Sequence, residues 1–304
     1  MTNVATERLG RLGVWSNLDH LSGSELRAFA HRVEELGFDA LWVQEGAGRE
    51  PFAALGALAV STERIALGVG IASIYARDAA ASHAGALTLA ELSGGRFVLG
   101  LGVSHAWRVE GQRGHTYLPP LSTMRAYLDA YAEAPYQAVR PAEEPPLVIA
   151  ALRRRMLELA ATRADGAFPY FVPVDYVARA RETIDRAAAG DGKEAPPALV
   201  TTVAAVLESE PVAARAIARR YTESYLRLPN YLNNLRECGF SEEELTPPGS
   251  DRLVDAIVAW GGSSQLLARI EAMYSAGADH VAVIPIGPDG RHATLPVVEA
   301  IASR

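Results

Sequence analysis

Short apolar runs alternate with segments of helical period along most of this chain. RLGVWS (11–16) predicts a first strand, DALWVQE (39–45) a second, RIALGVGIAS (64–73) a third and RFVLGLGV (96–103) a fourth. PPLVIAAL (145–152), DGAFPYFV (165–172), ALVTTVAAVLE (198–208) and DHVAVIPIG (279–287) predict four more. Between them the pattern predicts helices over 22–37, 51–60, 79–93, 121–133, 153–164, 174–189 and 211–225. Three more are predicted over 251–260, 263–276 and 293–303. In the first helix Leu26, Phe29, Ala30, Val33 and Leu36 share one face. Ser22 and Glu25 are spaced as a capping box, and Gly37 suits a left-handed stop. Pro51 suits the first turn of the next helix.

The strands are almost continuously apolar, as strands buried on both faces must be. Eight such strand–helix units in a row fit a (β/α)8 TIM barrel better than a doubly wound sheet. No break in composition marks a boundary, so a single domain over 1–304 is expected. The segment 226–250, LRLPNYLNNLRECGFSEEELTPPGS, is expected to be a helical or irregular insertion after the seventh strand. In such barrels the C-terminal strand ends carry the chemistry. The fourth strand ends in GLGVSHAW, which places Gly100, Gly102, Ser104, His105 and Trp107 at that end. Glycines there let a flat ligand approach the backbone. Gly68 and Gly70 begin like a dinucleotide fingerprint, but Ser73 holds the third glycine position. The plainer reading is that these glycines fit a tight barrel interior.

Composition narrows the picture. Of the 304 residues 49% are hydrophobic and 21% charged, the profile of a globular chain with a large core. The formal net charge of −7 argues against nucleic acid as a partner. The one cysteine allows no intrachain disulfide, so a reducing, cytoplasmic setting is expected. No run reaches the length of a membrane span, and the N-terminus has no signal-peptide core. The seven histidines show no local metal-ligand spacing, so no metal is expected.

The block GIASIYARDAAASHAGALTLAELSGGRFVLGLGVSH (70–105) resembles the luciferase-like monooxygenase superfamily. It is most similar to the branch of coenzyme F420-dependent oxidoreductases. DALWVQE, AALRRRMLELAATRADGAFPYFVP (150–173), LPNYLNNL (228–235) and AGADHVAVIP (276–285) extend the likeness over nearly the whole chain. The resemblance implies a barrel that binds a flavin or deazaflavin at the C-terminal strand ends. It implies a non-proline cis peptide at the end of the third strand, at Ser73–Ile74 by position, with both residues backing the ring. Gly102, Val103 and Ser104 would form the neighbouring shelf. Ala151, Gly166 and Ala167 would leave room at the ends of the fifth and sixth strands.

Arg153 and Arg154, at the start of a helix, are candidates for the cofactor's anionic end, because helix N-termini and arginine forks both favour phosphate. Relatives read Ala-Leu-Gly-Pro-Arg where this chain has Ala-Leu-Arg-Arg-Arg. The alternative is a solvated basic turn, unfavourable to its own helix dipole. Many deazaflavin relatives carry an acid–histidine pair at the end of the second strand; here Glu45 is followed by Gly46. Glu45 is one candidate acid/base, or else a structural partner of Arg49 or Arg77. His105 is the other, as a group that titrates near neutrality, or else a packed residue. Trp15, Tyr75, Trp107 and Tyr170 are candidates for the substrate pocket, each also a plausible core residue.

Three functions follow. The first is hydride transfer between coenzyme F420 and a small organic substrate. The second is an FMN-dependent monooxygenase that takes reduced flavin from a separate reductase. The third is a barrel that binds a flavin-like ligand without turnover. A homodimer, common among similar proteins, is expected.

Overall fold

A computed structural model describes residues 3–302, and it closes the predicted repeats into a (β/α)8 barrel. Helix α1 (Val4–Leu9) leads into β1 (Leu12–Ser16), α2 (Gly23–Glu35), β2 (Ala40–Val43), α3 (Pro51–Ala59) and β3 (Ala66–Ser73). Next come α4 (Ala79–Leu92), β4 (Phe97–Gly102), α5 (Ala106–Gly111), α6 (Pro120–Ala132), β5 (Leu147–Ile149) and α7 (Arg154–Arg163). β6 (Gly166–Ala167), α8 (Val174–Gly190), β7 (Ala198–Leu207), α9 (Pro211–Tyr225), α10 (Pro229–Glu237) and α11 (Glu242–Leu245) follow. The chain ends with α12 (Asp251–Ile257), β8 (Val258–Gly261), α13 (Ser263–Ser275), β9 (His280–Ile286) and α14 (Leu295–Ala302). Residue 303 of the last predicted helix lies outside the described residues.

Strands β1 to β7 and β9 form the ring, closed where β6 meets β7, β7 meets β9 and β9 meets β1. β8 is an additional parallel strand, paired from Val258 to Gly261 with Ala204 to Leu207. The pattern predicts helix there, because four residues are too few to show a period. β7 has ten residues and β6 only two, so the upper edge of β7 is left for β8 to cover. β6 is much shorter than the 165–172 predicted. Pro169 has no N–H to give a ladder, and Phe171 turns left-handed with φ 59°. The short helices α1 and α5 were not predicted. The insertion is mostly helical, as α10 and α11.

Two apolar layers follow from the strand pleat. An outer layer, with Leu41, Val69, Leu99, Ile149, Val203 and Val283, faces the helices. An inner layer fills the barrel with Trp15, Trp42, Phe168, Val200 and Ile284, and runs on into Tyr221, Tyr231 and Leu253 of the α9–α12 segment. Ala5 and Leu9 of α1, both at 0% exposure, belong to this inner layer and close the N-terminal end. A methyl added to Gly68 would lie 2.3 Å from the Trp42 ring, and one on Gly70 would lie 2.9 Å from Phe168 and Trp15. This glycine pair makes room for aromatic rings inside the barrel, the plainer of its two readings.

The N-terminal strand ends are set by side chains that cap the neighbouring strand. Asp39 accepts from the Leu12 amide at 2.9 Å, Asp165 from Leu147 at 2.8 Å and Asp279 from Leu199 at 2.7 Å. ELSGGRF belongs to this end too. Gly94 and Gly95 take φ of 62° and 84°, and the turn delivers Arg96 under the barrel. Its guanidinium donates to the carbonyls of Ser93, Ile65, Ala59 and Thr62 and to Thr62 Oγ1.

Inside the barrel, His280 Nε2 accepts from Trp42 Nε1 at 3.1 Å, so Nδ1 carries the proton toward the Gly10 carbonyl, also at 3.1 Å. Burial pushes His280 down to about 4, and burial, with His20 nearby, does the same to His292. In the unfolded chain both titrate near 6.5. Between roughly pH 6.5 and 4 the unfolded chain therefore binds one more proton at each site, and stability falls as pH falls. The urea midpoint should drop steadily from pH 7 to pH 5, and His280→Gln should flatten that slope by about one proton. An unchanged slope in the variant would count against the assignment.

Candidate active site

The C-terminal strand ends converge where β3 leaves regular pairing. Its register against β4 shifts between Val69 and Ala72, and the non-proline cis peptide lies at Gly70–Ile71. The expected Ser73–Ile74 bond is not the cis one. The bulge turns the Ile71 side chain across β4: a methyl on Gly102 would lie 1.8 Å from Ile71 Cδ1, and one on Gly100 would lie 3.0 Å from Ile71 Cγ2. The glycine shelf is therefore covered by Ile71 and not bare. Ser73 and Ile74 sit behind it. The Ser73 amide donates to Glu45 Oε2 at 2.6 Å, and Ile74 is buried in the outer layer.

Glu45 lies two residues beyond β2 with its side chain 6% exposed. Arg77 lies 3.0 Å from its carboxylate and Arg113 3.6 Å, and Arg77 also pairs with Glu50. This is the ion-pair alternative for Glu45, with Arg77 as partner; Arg49 instead donates to the Leu21 carbonyl. So engaged, Glu45 ties the ends of β2 and β3 to the loop after α5.

His105 stands at the start of α5, half-buried, with its ring centroid 5.7 Å from that of Tyr231. Burial and the nearby Arg108 charge lower its pKa, so the imidazole is uncharged at neutral pH. The Asn230 side chain lies against the imidazole and its amide oxygen accepts from it, which partly offsets that lowering. Ser104, with φ 56°, sets the chain's turn into α5, and its carbonyl accepts from the Tyr117 hydroxyl at 3.3 Å. Val103 packs against the outer layer.

An aromatic cluster fills the mouth beside these residues. Tyr170 stacks obliquely 5.2 Å from Trp15 and 5.4 Å from Tyr225, and Tyr225 lies 4.8 Å from Phe171 and 5.4 Å from Tyr231. The Tyr221 hydroxyl donates to Tyr170 at 3.0 Å, and Tyr170 and Tyr225 hydroxyls are 2.9 Å apart. Burial raises all three, which keeps them as phenols. His292, from the β9–α14 loop, lies 5.7 Å from Trp15.

The other predicted residues have these surroundings. Trp107 is 48% exposed on α5. The Tyr75 hydroxyl accepts from the Leu118 amide at 3.0 Å and so pins the 112–119 loop. Ala151 is buried in the outer layer. Gly166 and Ala167 pair with Ala198 and Leu199, the first residues of β7, and the space over Gly166 is taken by Val148 and Ala198. Arg153 pairs with Glu237 of α10, and Arg154 with Glu158 at 2.8 Å, both at the surface. The pattern missed Ile71, Arg108, Tyr221, Tyr225, Tyr231, Asn230 and His292. The four-residue spacing of Tyr221 and Tyr225 was the available signal for one helix face.

A parallel eight-stranded barrel with polar and aromatic groups gathered at its C-terminal mouth is one of the common enzyme frameworks. Within that class the chain belongs to the luciferase-like monooxygenase family, whose profile matches residues 8–280, in agreement with the resemblance read from residues 70–105. It is 39% identical over 119 residues to the "Putative coenzyme F420-dependent oxidoreductase" of Mycobacterium tuberculosis; the match covers 39% of this chain and 33% of that protein. The chain thus spans about a third of that relative's length. It is 25% identical over 303 aligned residues to the 5,10-methylenetetrahydromethanopterin reductase of Archaeoglobus fulgidus, covering 87% of this chain and 91% of the other. The fold matches the coenzyme F420-dependent tetrahydromethanopterin reductase of Methanopyrus kandleri with a TM-score of 0.79 at 17% identity, over 96% of this chain and 97% of that one. Among the described residues no helix is long and apolar enough to cross a membrane.

Whether the mouth suits a polar planar ring can be judged from its unpartnered atoms. Whereas the Asn230 side chain has His105 beside it, Arg108 Nε is buried without a hydrogen-bond partner. Such an atom costs roughly 1–3 kcal/mol unless something bonds to it. Arg108 and Asn230 lie beside His105, Tyr231 offers it a ring face, and Ile71 offers an apolar surface over the end of β4. With the tyrosines drawn aside, the residues present fit a flat ring against Ile71 and a polar group beside Arg108.

Proposed function

We propose that this chain is an oxidoreductase that exchanges a hydride between coenzyme F420 and a small organic substrate at the mouth around Ile71 and His105. The observation that carries the reading is the meeting, at one barrel mouth, of Ile71 over the β4 glycines with an uncharged His105 and the ring faces of Tyr170 and Tyr231. The names of the relatives from Mycobacterium tuberculosis and Methanopyrus kandleri support F420 as the cofactor. When bound, the deazaflavin supplies the carbon that carries the hydride.

The chain's own residues do the rest. Ile71, seated over Gly102, and Ser104 present the surface for one ring face, and Trp15 and Tyr170 wall the pocket. His105 gives or takes the proton that accompanies hydride transfer. Glu45 acts as a positioning residue, holding the Ser73 amide and the Arg77 and Arg113 guanidiniums in place. Arg153 and Arg154 remain the proposed contacts for the cofactor's anionic tail. Tyr170, Tyr225 and Tyr231 now occupy the mouth, so entry of a ring requires the α9–α10 segment to move outward.

A fluorescence titration of the apoprotein with F420 and with FMN tests the assignment. Saturable F420 binding, at least about tenfold tighter than FMN, is expected. Tighter FMN binding would favour the monooxygenase reading, and binding of neither would end the proposal.

A further inference from the structure

The helix that follows β4 carries a guanidinium for which the fold supplies no counter-charge. Arg108, on α5, is half-buried, and no carboxylate of the described residues is within ion-pair distance of it. Its Nη1 makes one hydrogen bond, 3.3 Å long, to the backbone carbonyl of Glu45. Its Nε is buried with no partner at all. The guanidinium carbon lies 5.1 Å from the centre of the Trp107 ring, an exposed side chain on the same short helix.

The neighbouring arginines are placed differently. Arg77 pairs with Glu45 and Glu50, and Arg113 with Glu45. Two guanidiniums therefore share these two carboxylates, and Arg108 is left without a counter-charge among the described residues. The Arg108 charge is felt at His105, Tyr225 and Tyr231, the residues of the mouth. His105 is itself uncharged, so it does not add to that charge.

Removing a cation from water is unfavourable unless an anion or a full set of acceptors replaces the water. Arg108 has one long hydrogen bond in place of that set. A guanidinium offers a planar fork of donors that matches a carboxylate. We infer that the substrate carries a carboxylate, held by the Arg108 fork, with a planar or apolar body against Tyr225 and Tyr231. This inference rests on the proposed function for its placement beside a redox cofactor. The cofactor's own anionic tail has similar chemistry. The substrate is favoured because Arg108 stands next to His105, the proton-handling group, whereas Arg153 and Arg154 stand at the start of α7.

Calorimetric titration of the apoprotein with sodium benzoate and with its neutral analogue benzamide tests the site without any cofactor. Benzoate should bind at least about tenfold more tightly than benzamide. Arg108→Gln should abolish that preference and Arg108→Lys should keep part of it, with circular dichroism confirming that both variants fold. In parallel, F420 affinity should change by less than about threefold in Arg108→Gln. Equal binding of the two probes, or no binding of either, overturns the inference. A loss of F420 affinity in Arg108→Gln as large as the loss for benzoate also overturns it, by assigning the fork to the cofactor tail. If the wild-type chain binds no F420 but keeps a benzoate preference that Arg108→Gln removes, the carboxylate site stands and the cofactor assignment falls.

Discussion

Arg96→Met should destabilise the chain by roughly 3–5 kcal/mol, measured by equilibrium unfolding in urea. The guanidinium satisfies the carbonyls of Ala59, Thr62, Ile65 and Ser93, together with the Thr62 hydroxyl. Methionine fills much of the volume but donates nothing, so several enclosed acceptors lose their partners together. Arg96→Lys should recover only a minor part, because one ammonium cannot reach acceptors spread across two loops. The site lies at the N-terminal end of the barrel, away from the mouth, so F420 affinity of the folded fraction should be unchanged. A loss below about 1 kcal/mol would show that water replaces the arginine there.

His105→Ala should lower turnover by roughly 10²–10⁴-fold, with F420 affinity nearly unchanged, once a substrate has been found by screening. The acid limb of the pH–rate profile should lie below the ordinary histidine value near 6.5, since burial and Arg108 both disfavour the charged ring. The variant should lose that limb. Glu45→Gln should behave differently. It leaves the Arg77 and Arg113 guanidiniums with less counter-charge, so its main effect should be a lower melting temperature. A variant at His105 that turns over at the wild-type rate would remove the proton assignment.

The barrel was legible because eight apolar runs separated by helical periods leave few alternatives. What escaped were features that depend on tertiary partners. β8 is too short to show a period and exists because β6 ends early beside a long β7. Pro169 and the left-handed Phe171 end β6, and a run of apolar residues hides that stop. His105 was legible from its place after the β4 glycines. The role of Glu45 was open in the sequence, since its partners lie 32 and 68 positions away. Ile71 reads as one more apolar strand residue, and only the bulge reveals that it covers Gly102. The tyrosines of α9 and α10 meet the barrel only because the insertion folds back over the mouth. ELSGGRF lies inside the 70–105 block that carries the resemblance, yet its arginine works at the opposite end of the barrel from the mouth.

Hydrogen–deuterium exchange of the full chain with and without F420 tests the central claim most directly. Binding at the mouth predicts slower exchange over 71–75 and 102–109, together with an altered rate over 221–231 as the tyrosines give way. Protection confined to the N-terminal end of the barrel, around Arg8, Arg64 and Arg96, would contradict it.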